Sequence, residues 1–260
     1  MFEPPLELAR ARILLSNDDG IDANGLKALE RVARSLSSDV WVVAPETEQS
    51  AASHSLTLRV PLRIRRLDDK RFAVNGTPTD AVLLAVQHIM KERPPDVLLS
   101  GINRGGNLGE DVTYSGTVAA AMEGTLLGVP SIALSQLATS GTRTRWATAE
   151  RYAGQVIRRL LTLRWPKGVM MNVNFPDLPA DAVKGVVAAA QGRRKIGGKL
   201  EARLDPRGAP YYWIGTMRTE EPALKGSDLA AIVKGAISVT PLFLDLTHKA
   251  MLRRLKEALA

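Results

Sequence analysis

The chain contains no cysteine. Disulfides, thiolate metal sites and cysteine nucleophiles are therefore excluded, which fits an intracellular setting. No apolar run approaches the length of a membrane span. The first residues, MFEPPLELARAR, carry two acids and two prolines before any apolar stretch, unlike a secretory leader. A protein of the cytoplasm, without membrane partners, is the expectation. Internal repeats, low-complexity tracts and a clear linker are also lacking. So are three common chemical signatures: G-x-G-x-x-G, G-x-x-x-x-G-K-[ST] and G-x-S-x-G.

What is present is 260 residues, 45% hydrophobic and 24% charged, ordinary globular usage with room for a sizeable core. Net charge is +8 but lopsided. Residues 1–130 hold 14 Lys and Arg against 17 Asp and Glu, and residues 131–260 hold 21 against 10. A basic half can meet nucleic acid, phosphorylated compounds or acidic partners, and a solvated basic surface is the plainer reading.

Short apolar runs alternate with helical periodicity through the first 140 residues. RILLS (12–16), VWVVA (40–44), DVLLS (96–100) and VPSIALS (129–135) read as buried strands. LKALERVARSL (26–36) and SGTVAAAMEGTLLG (115–128) read as helices. TPTDAVLLAVQHIM (77–90) reads as a helix capped by Thr77, with Pro78 and Asp80 in its first turn. LTLRVPLRIRRL (56–67), interrupted by Pro61, suits an edge ribbon, and FAVNG (72–76) a strand end. Further on, 147–163 suits a helix and 168–176 a strand. This order predicts a mostly parallel sheet with helices on both faces. One domain is expected: a core of about 11–190 plus 227–245, a projecting arm at about 191–226, and an amphipathic terminal helix at about 246–260.

In such sheets ligands bind beyond the carboxyl ends of the strands. Asp18 and Asp19 end the first strand in ILLSNDDG. Ser50 follows VWVVA, and Asn103 and Asn107 follow DVLLS. Ser115, Gly116 and Thr117 open a helix after that same loop. Two adjacent carboxylates repel unless a cation or donor lies between them. Carboxylates, a hydroxyl and an amide oxygen suit Mg²⁺, Mn²⁺ or Ca²⁺. The helix start offers an anion site, and a cation beside an anion cradle points to phosphate chemistry. Singly, each feature has a plainer reading: Asp-Gly as a turn, SGT as a cap. His54, four residues after Ser50, is a candidate proton donor; His88 and His248 suit packing or surface.

Together these residues resemble the SurE family, the metal-dependent survival-protein nucleotidases. The stretches ILLSNDDGIDANGLKAL, VVAPETEQSAASHSLTL, NGTPTDAV, SGINRGGNLGEDVTYSGTVAAAMEG, DPRGAPYYWIG and ISVTPL carry the likeness. About ten N-terminal residues are extra to the family pattern. The resemblance implies a Rossmann-like three-layer α/β/α sandwich with a C-terminal oligomerisation arm, as a homodimer or homotetramer. It implies a 5′-nucleotidase that hydrolyses nucleoside 5′- and 3′-monophosphates. Carried over, the metal ligands are Asp18, Asp19, Ser50 and Asn103, holding one Mg²⁺ or Mn²⁺ per subunit. Asp18, Asp19 and Asn103 are the catalytic residues, and Ser115, Gly116 and Thr117 hold phosphate. The family varies at the position of His54. Tyr211, Tyr212 and Trp213 could stack on a base or anchor a subunit contact. Arg193, Arg194 and Lys195 could attract short polyphosphate or form a solvated basic loop. The rival classes are a nucleotide- or nucleic-acid-binding module without turnover, and another phosphate-transfer enzyme on the same sheet.

Overall fold

Each short apolar run becomes a strand whose neighbours cover it on both faces. The structure, a computed structural model, describes residues 4–139, 141–196, 200–214, 218–220 and 224–260. In chain order the core elements are β1 (Arg12–Ser16), α1 (Asn24–Arg34), β2 (Asp39–Pro45), β3 (Ile64–Asp68), β4 (Arg71–Val74), α2 (Pro78–Leu84), β5 (Val97–Arg104), α3 (Gly116–Leu126), β6 (Ser131–Gln136), α4 (Trp146–Leu160), β7 (Val169–Phe175) and β8 (Val186–Ala188). The arm follows with β9 (Arg194–Ile196), β10 (Leu200–Leu204), β11 (Pro210–Ile214) and β12 (Arg218–Glu220). The chain then returns through α5 (Asp228–Val233) and β13 (Ile237–Phe243), and closes with α6 (Lys249–Ala258).

The main sheet runs β3-β4-β2-β1-β5-β6-β7-β13-β8. Its six central strands, from β4 to β7, are all parallel. Their order is that of a doubly wound fold, with the reversal between β1 and β5. Antiparallel pairing is confined to β3 on β4 and β13 on β7. Ile13 and Leu15 face a core shared with α1 and α4, while Leu14 faces the opposite core with α2. All three are fully buried, each contributing about 1.5–3 kcal/mol by burial. The three-layer α/β/α expectation is thus met.

Several local expectations change. Of the ribbon at 56–67 only Ile64–Asp68 is strand. Pro61 offers no N–H, and upstream Thr57 spends its amide and hydroxyl on the Asp80 carboxylate at 2.9 and 2.6 Å. That same Asp80 completes the capping box with Thr77 at the start of α2. The helix expected to reach residue 90 is regular only to Leu84; a π turn spans Ala85–Ile89 and includes His88. β8 was not foreseen, because its three residues are exposed at the sheet edge and carry no alternation.

The arm is a hairpin of β10 on β11, with β9 paired to β12 at its root. In the basic stretch at that root Arg193 is exposed, but Arg194 is not a solvated residue. Arg194 is 8% exposed and forms an ion pair with buried Asp111, one of its bonds measuring 3.1 Å from Nε. The side chain of Lys195 lies outside the described residues.

Candidate active site

Three segments meet at the reversal point between β1 and β5. Asp18 and Asp19 continue from β1. The loop after β2 folds back onto them: Gln49 N donates to Asp18 O at 2.8 Å, and Ile21 N to Pro45 O at 2.8 Å. This brings Ser50 to the same crevice. Ser50 Oγ donates to Glu48 Oε1 at 2.6 Å.

β5 reaches the crevice through an irregularity. Ser100 pairs with Ala133, yet Asn103 pairs with Ser135, so one extra residue is accommodated. Such a bulge re-aims the side chains beyond it. Gly101 allows it. Its φ is +130°, and a Cβ there would lie 2.3 Å from Leu134 O, so a side chain is excluded. Beyond the bulge, Asn103 Nδ2 donates to Gly105 O at 2.9 Å. This orients the amide and leaves its oxygen as the acceptor end.

The start of α3 closes the far side. Ser115 is the N-cap, its Oγ accepting from Val118 N at 3.1 Å. Gly116 is required by contact: a Cβ there would fall 2.7 Å from Asp18 Cβ. Thr117 is fully buried and donates its hydroxyl to Asp18 Oδ1. Of the three residues expected to cradle phosphate, Thr117 therefore serves as the holder of Asp18, and Ser115 Oγ as a cap.

Asp18, Asp19, Ser50, Asn103, Asn107 and Ser115 all line one cavity of about 530 Å³. Burial is the main cause that raises the pKa of Asp18 above the ordinary carboxylate value; the Thr117 bonds act against it, and Glu48 adds to it. Asp19 is pushed up to about 6, first by burial and then by the charge of Asp18. Its Oδ2 accepts a long 3.4 Å bond from Arg104 N. Two adjacent carboxylates thus resist ionising together, with Glu48 adding to that resistance and Arg104 opposing it at Asp19. Among the described residues no cluster of three or more His, Cys, Asp or Glu side chains could hold a metal. The set here is instead two carboxylates, a hydroxyl and an amide oxygen. That chemistry fits a hard divalent cation.

Three comparisons with known proteins bear on this crevice. The sequence model of the family described as survival protein SurE matches residues 13–198. The chain belongs to the SurE family. A 5′-nucleotidase SurE of Paramagnetospirillum magneticum is 58% identical over 257 residues, covering 99% of both chains. Another, of Rhodospirillum rubrum, is 60% identical over 250 residues, covering 95% of both. The crystal structure of the SurE protein from Aquifex aeolicus superposes with a TM-score of 0.84 at 39% identity, covering 96% of this chain and 100% of that one.

The SurE signature residues separate into those the crevice gathers and those it does not. His54 is outside the cavity wall; its Nε2 contacts Glu123 Oε2 at 2.9 Å. Asn17 turns away, its Nδ2 donating to Gly20 O at 2.8 Å. Asn107 is locked beneath the loop by Ser135 Oγ at 2.9 Å and Asn174 Oδ1 at 2.8 Å. Sequence reasoning missed Glu48, Arg104, Asp111, Tyr114 and Trp146, which also line the cavity. Glu48, Arg104 and Tyr114 lie within two residues of motif residues, and that proximity was the available signal. Trp146 gave none.

Proposed function

We propose that this chain is a divalent-cation-dependent 5′-nucleotidase, a phosphoric monoester hydrolase that converts nucleoside 5′- and 3′-monophosphates to nucleoside and phosphate. The observation that carries the reading is the pair Asp18–Asp19 meeting Ser50 and Asn103 on one cavity beside the start of α3. Relatives named 5′-nucleotidase at 58% and 60% identity support it.

Asp18, Asp19, Ser50 and Asn103 would hold one Mg²⁺ or Mn²⁺ per subunit. When bound, such an ion polarises the phosphoryl group and lowers the pKa of a water. The protein's own part is positioning. Thr117 fixes Asp18 through its hydroxyl. Gly105 fixes the Asn103 amide. The positive end of α3, whose N-cap Ser115 lines the cavity, would favour phosphate oxygens there. Asp19, with a single long hydrogen bond, is the carboxylate free to take a proton from the attacking water. His54 points elsewhere, so solvent in the cavity supplies the proton to the leaving oxygen. Short polyphosphate is a further substrate of the same chemistry.

The exposed faces of the arm and of α6 support a homodimer or homotetramer. Tyr212, Trp213 and Ile214 are 65%, 64% and 71% exposed, and α6 buries no residue. No helix among the described residues is long and apolar enough to cross a membrane, in keeping with a cytoplasmic enzyme.

The test is phosphate release from a panel of nucleoside monophosphates by chelator-stripped protein, with and without Mg²⁺ or Mn²⁺. Release only with metal is expected. Asp18→Asn should lower it by roughly two orders of magnitude or more, about 3 kcal/mol of barrier. Metal-independent release, or a near-normal Asp18→Asn rate, would sink the assignment. Nucleotide binding without any release would favour a binding module.

A further inference from the structure

A second cavity of about 400 Å³ opens beside the first and shares Asn24, Arg104 and Trp146 with it. The two are oppositely charged. The first is lined by Asp18, Asp19, Glu48 and Asp111; the second has no acidic lining residue and gathers Lys27, Arg31, Arg104 and Arg143. These cations come from three places. Lys27 and Arg31 lie one turn apart on α1, in line with Asn24. Arg104 ends β5. Arg143 sits in the loop before α4.

Lys27 and Arg143 have no acidic partner within ion-pair distance among the described residues. Arg31 shares its charge with Glu150, leaving the cavity net positive. Clustered cations without counter-charges repel one another, and a concave surface focuses their field on an incoming anion. Guanidinium and ammonium groups are the usual partners of phosphate oxygens. Trp146 is half-buried and lines both cavities, an aromatic wall where they adjoin. A bare inorganic chain would gain nothing from that wall, whereas a nucleoside would pack against it.

We infer that the second cavity is a subsite for a second phosphate of the same substrate, so that the enzyme accepts nucleosides phosphorylated twice, at the 3′ and 5′ positions. The inference rests on the nucleotidase reading above and extends it from one phosphate to two. The reaction keeps its balance. One P–O bond to the sugar breaks, the hydroxyl of water joins the phosphorus, and the remaining proton ends on the sugar oxygen. A nucleoside monophosphate and inorganic phosphate leave.

The test compares kcat/KM for adenosine 5′-monophosphate, adenosine 3′,5′-bisphosphate and tripolyphosphate. Wild type is set beside Lys27→Glu, Arg143→Glu and the double variant, all at one ionic strength. Both positions are exposed, so the fold should survive, and thermal unfolding checks that it does. Wild type should favour the bisphosphate by about ten-fold, mainly through KM. The double variant should lose that preference while monophosphate turnover stays within about two-fold of wild type. The inference is overturned if wild type shows no preference. Equal loss on both nucleotides also overturns it, as the field of a basic surface would then suffice. Loss on tripolyphosphate alone overturns it in favour of an inorganic chain. If nothing is hydrolysed, the nucleotidase reading falls by itself. Calorimetric affinity of the bisphosphate for wild type against the double variant then decides the subsite.

Discussion

The crevice at the end of β1 and the hairpin of β10 and β11 make opposite use of their side chains. In the crevice polar groups are buried and held by the same chain. Asp18 is 6% exposed and bonded to Thr117; Asn107 is 7% exposed and bonded to Ser135 and Asn174. In the hairpin apolar groups stand in solvent: Leu200 is 64% exposed and Leu204 68%. Buried polar atoms are tolerable only when partnered, so one protomer completes the crevice. Exposed aromatic and aliphatic surface of this kind suits a contact with a partner. One region is finished within a single chain, and the other presents the apolar surface that the proposed homodimer or homotetramer would cover.

The contrast breaks most severely where the two regions join. Arg194, at the root of the arm, carries the buried ion pair with Asp111, which also lines the cavity. Arg194→Ala would remove one partner of this buried ion pair, costing about 3–5 kcal/mol. That is a fall in Tm of roughly 6–20 °C for a chain of this size, readable by calorimetry, with turnover reduced as well. An unchanged Tm would show that root and crevice are independent.

A milder change sharpens the contrast. Replacing Tyr212 and Trp213 together by serine should lower the solution mass by light scattering. The Tm of the core should move little, because neither ring packs on the main sheet. An unchanged mass would remove the hairpin from the assembly.

The smallest effect belongs to Asp39, at the start of β2 and outside both regions. Burial alone would raise the Asp39 pKa, but bonds from Lys70, Arg12 and Trp41 outweigh it and lower the value to about 2. The folded pKa is below the unfolded one, so this stabilisation is present above about pH 4. It is lost as pH falls towards 2. Taken at face value it is worth about 2 kcal/mol, which screening at a partly exposed position cuts to about 1. Asp39→Asn should be about 1 kcal/mol less stable at pH 7 in urea, with the difference closing by pH 2. A constant gap would refute the assignment.

Much of this architecture was legible in the sequence. The first strand was expected at 12–16 and is found there, because four of its five residues are buried and the run ends in Asn-Asp-Asp-Gly. The start of α2 was legible because its cap, proline and acid act within four residues of one another. The hidden parts depend on partners remote in sequence. The bulge in β5 exists only against β6. Thr117 reads as a helix opener, yet its hydroxyl goes to Asp18, 99 positions away. The ribbon at 56–63 failed as strand because Asp80, on another element, took the bonds of Thr57. The basic cavity draws on α1, β5 and the loop before α4, and no local pattern links them.

Asp228 is fully buried at the start of α5. Its carboxylate accepts Gly109 N at 2.9 Å from the loop of the crevice, and Gly192 N at 2.8 Å from the root of the arm. One side chain thus clasps two backbones, and slow amide exchange should be shared by both. Any lineage that discards the arm must also re-anchor the crevice loop. Loss of the outer hairpin alone is a permissible evolutionary step, whereas loss of its root is not.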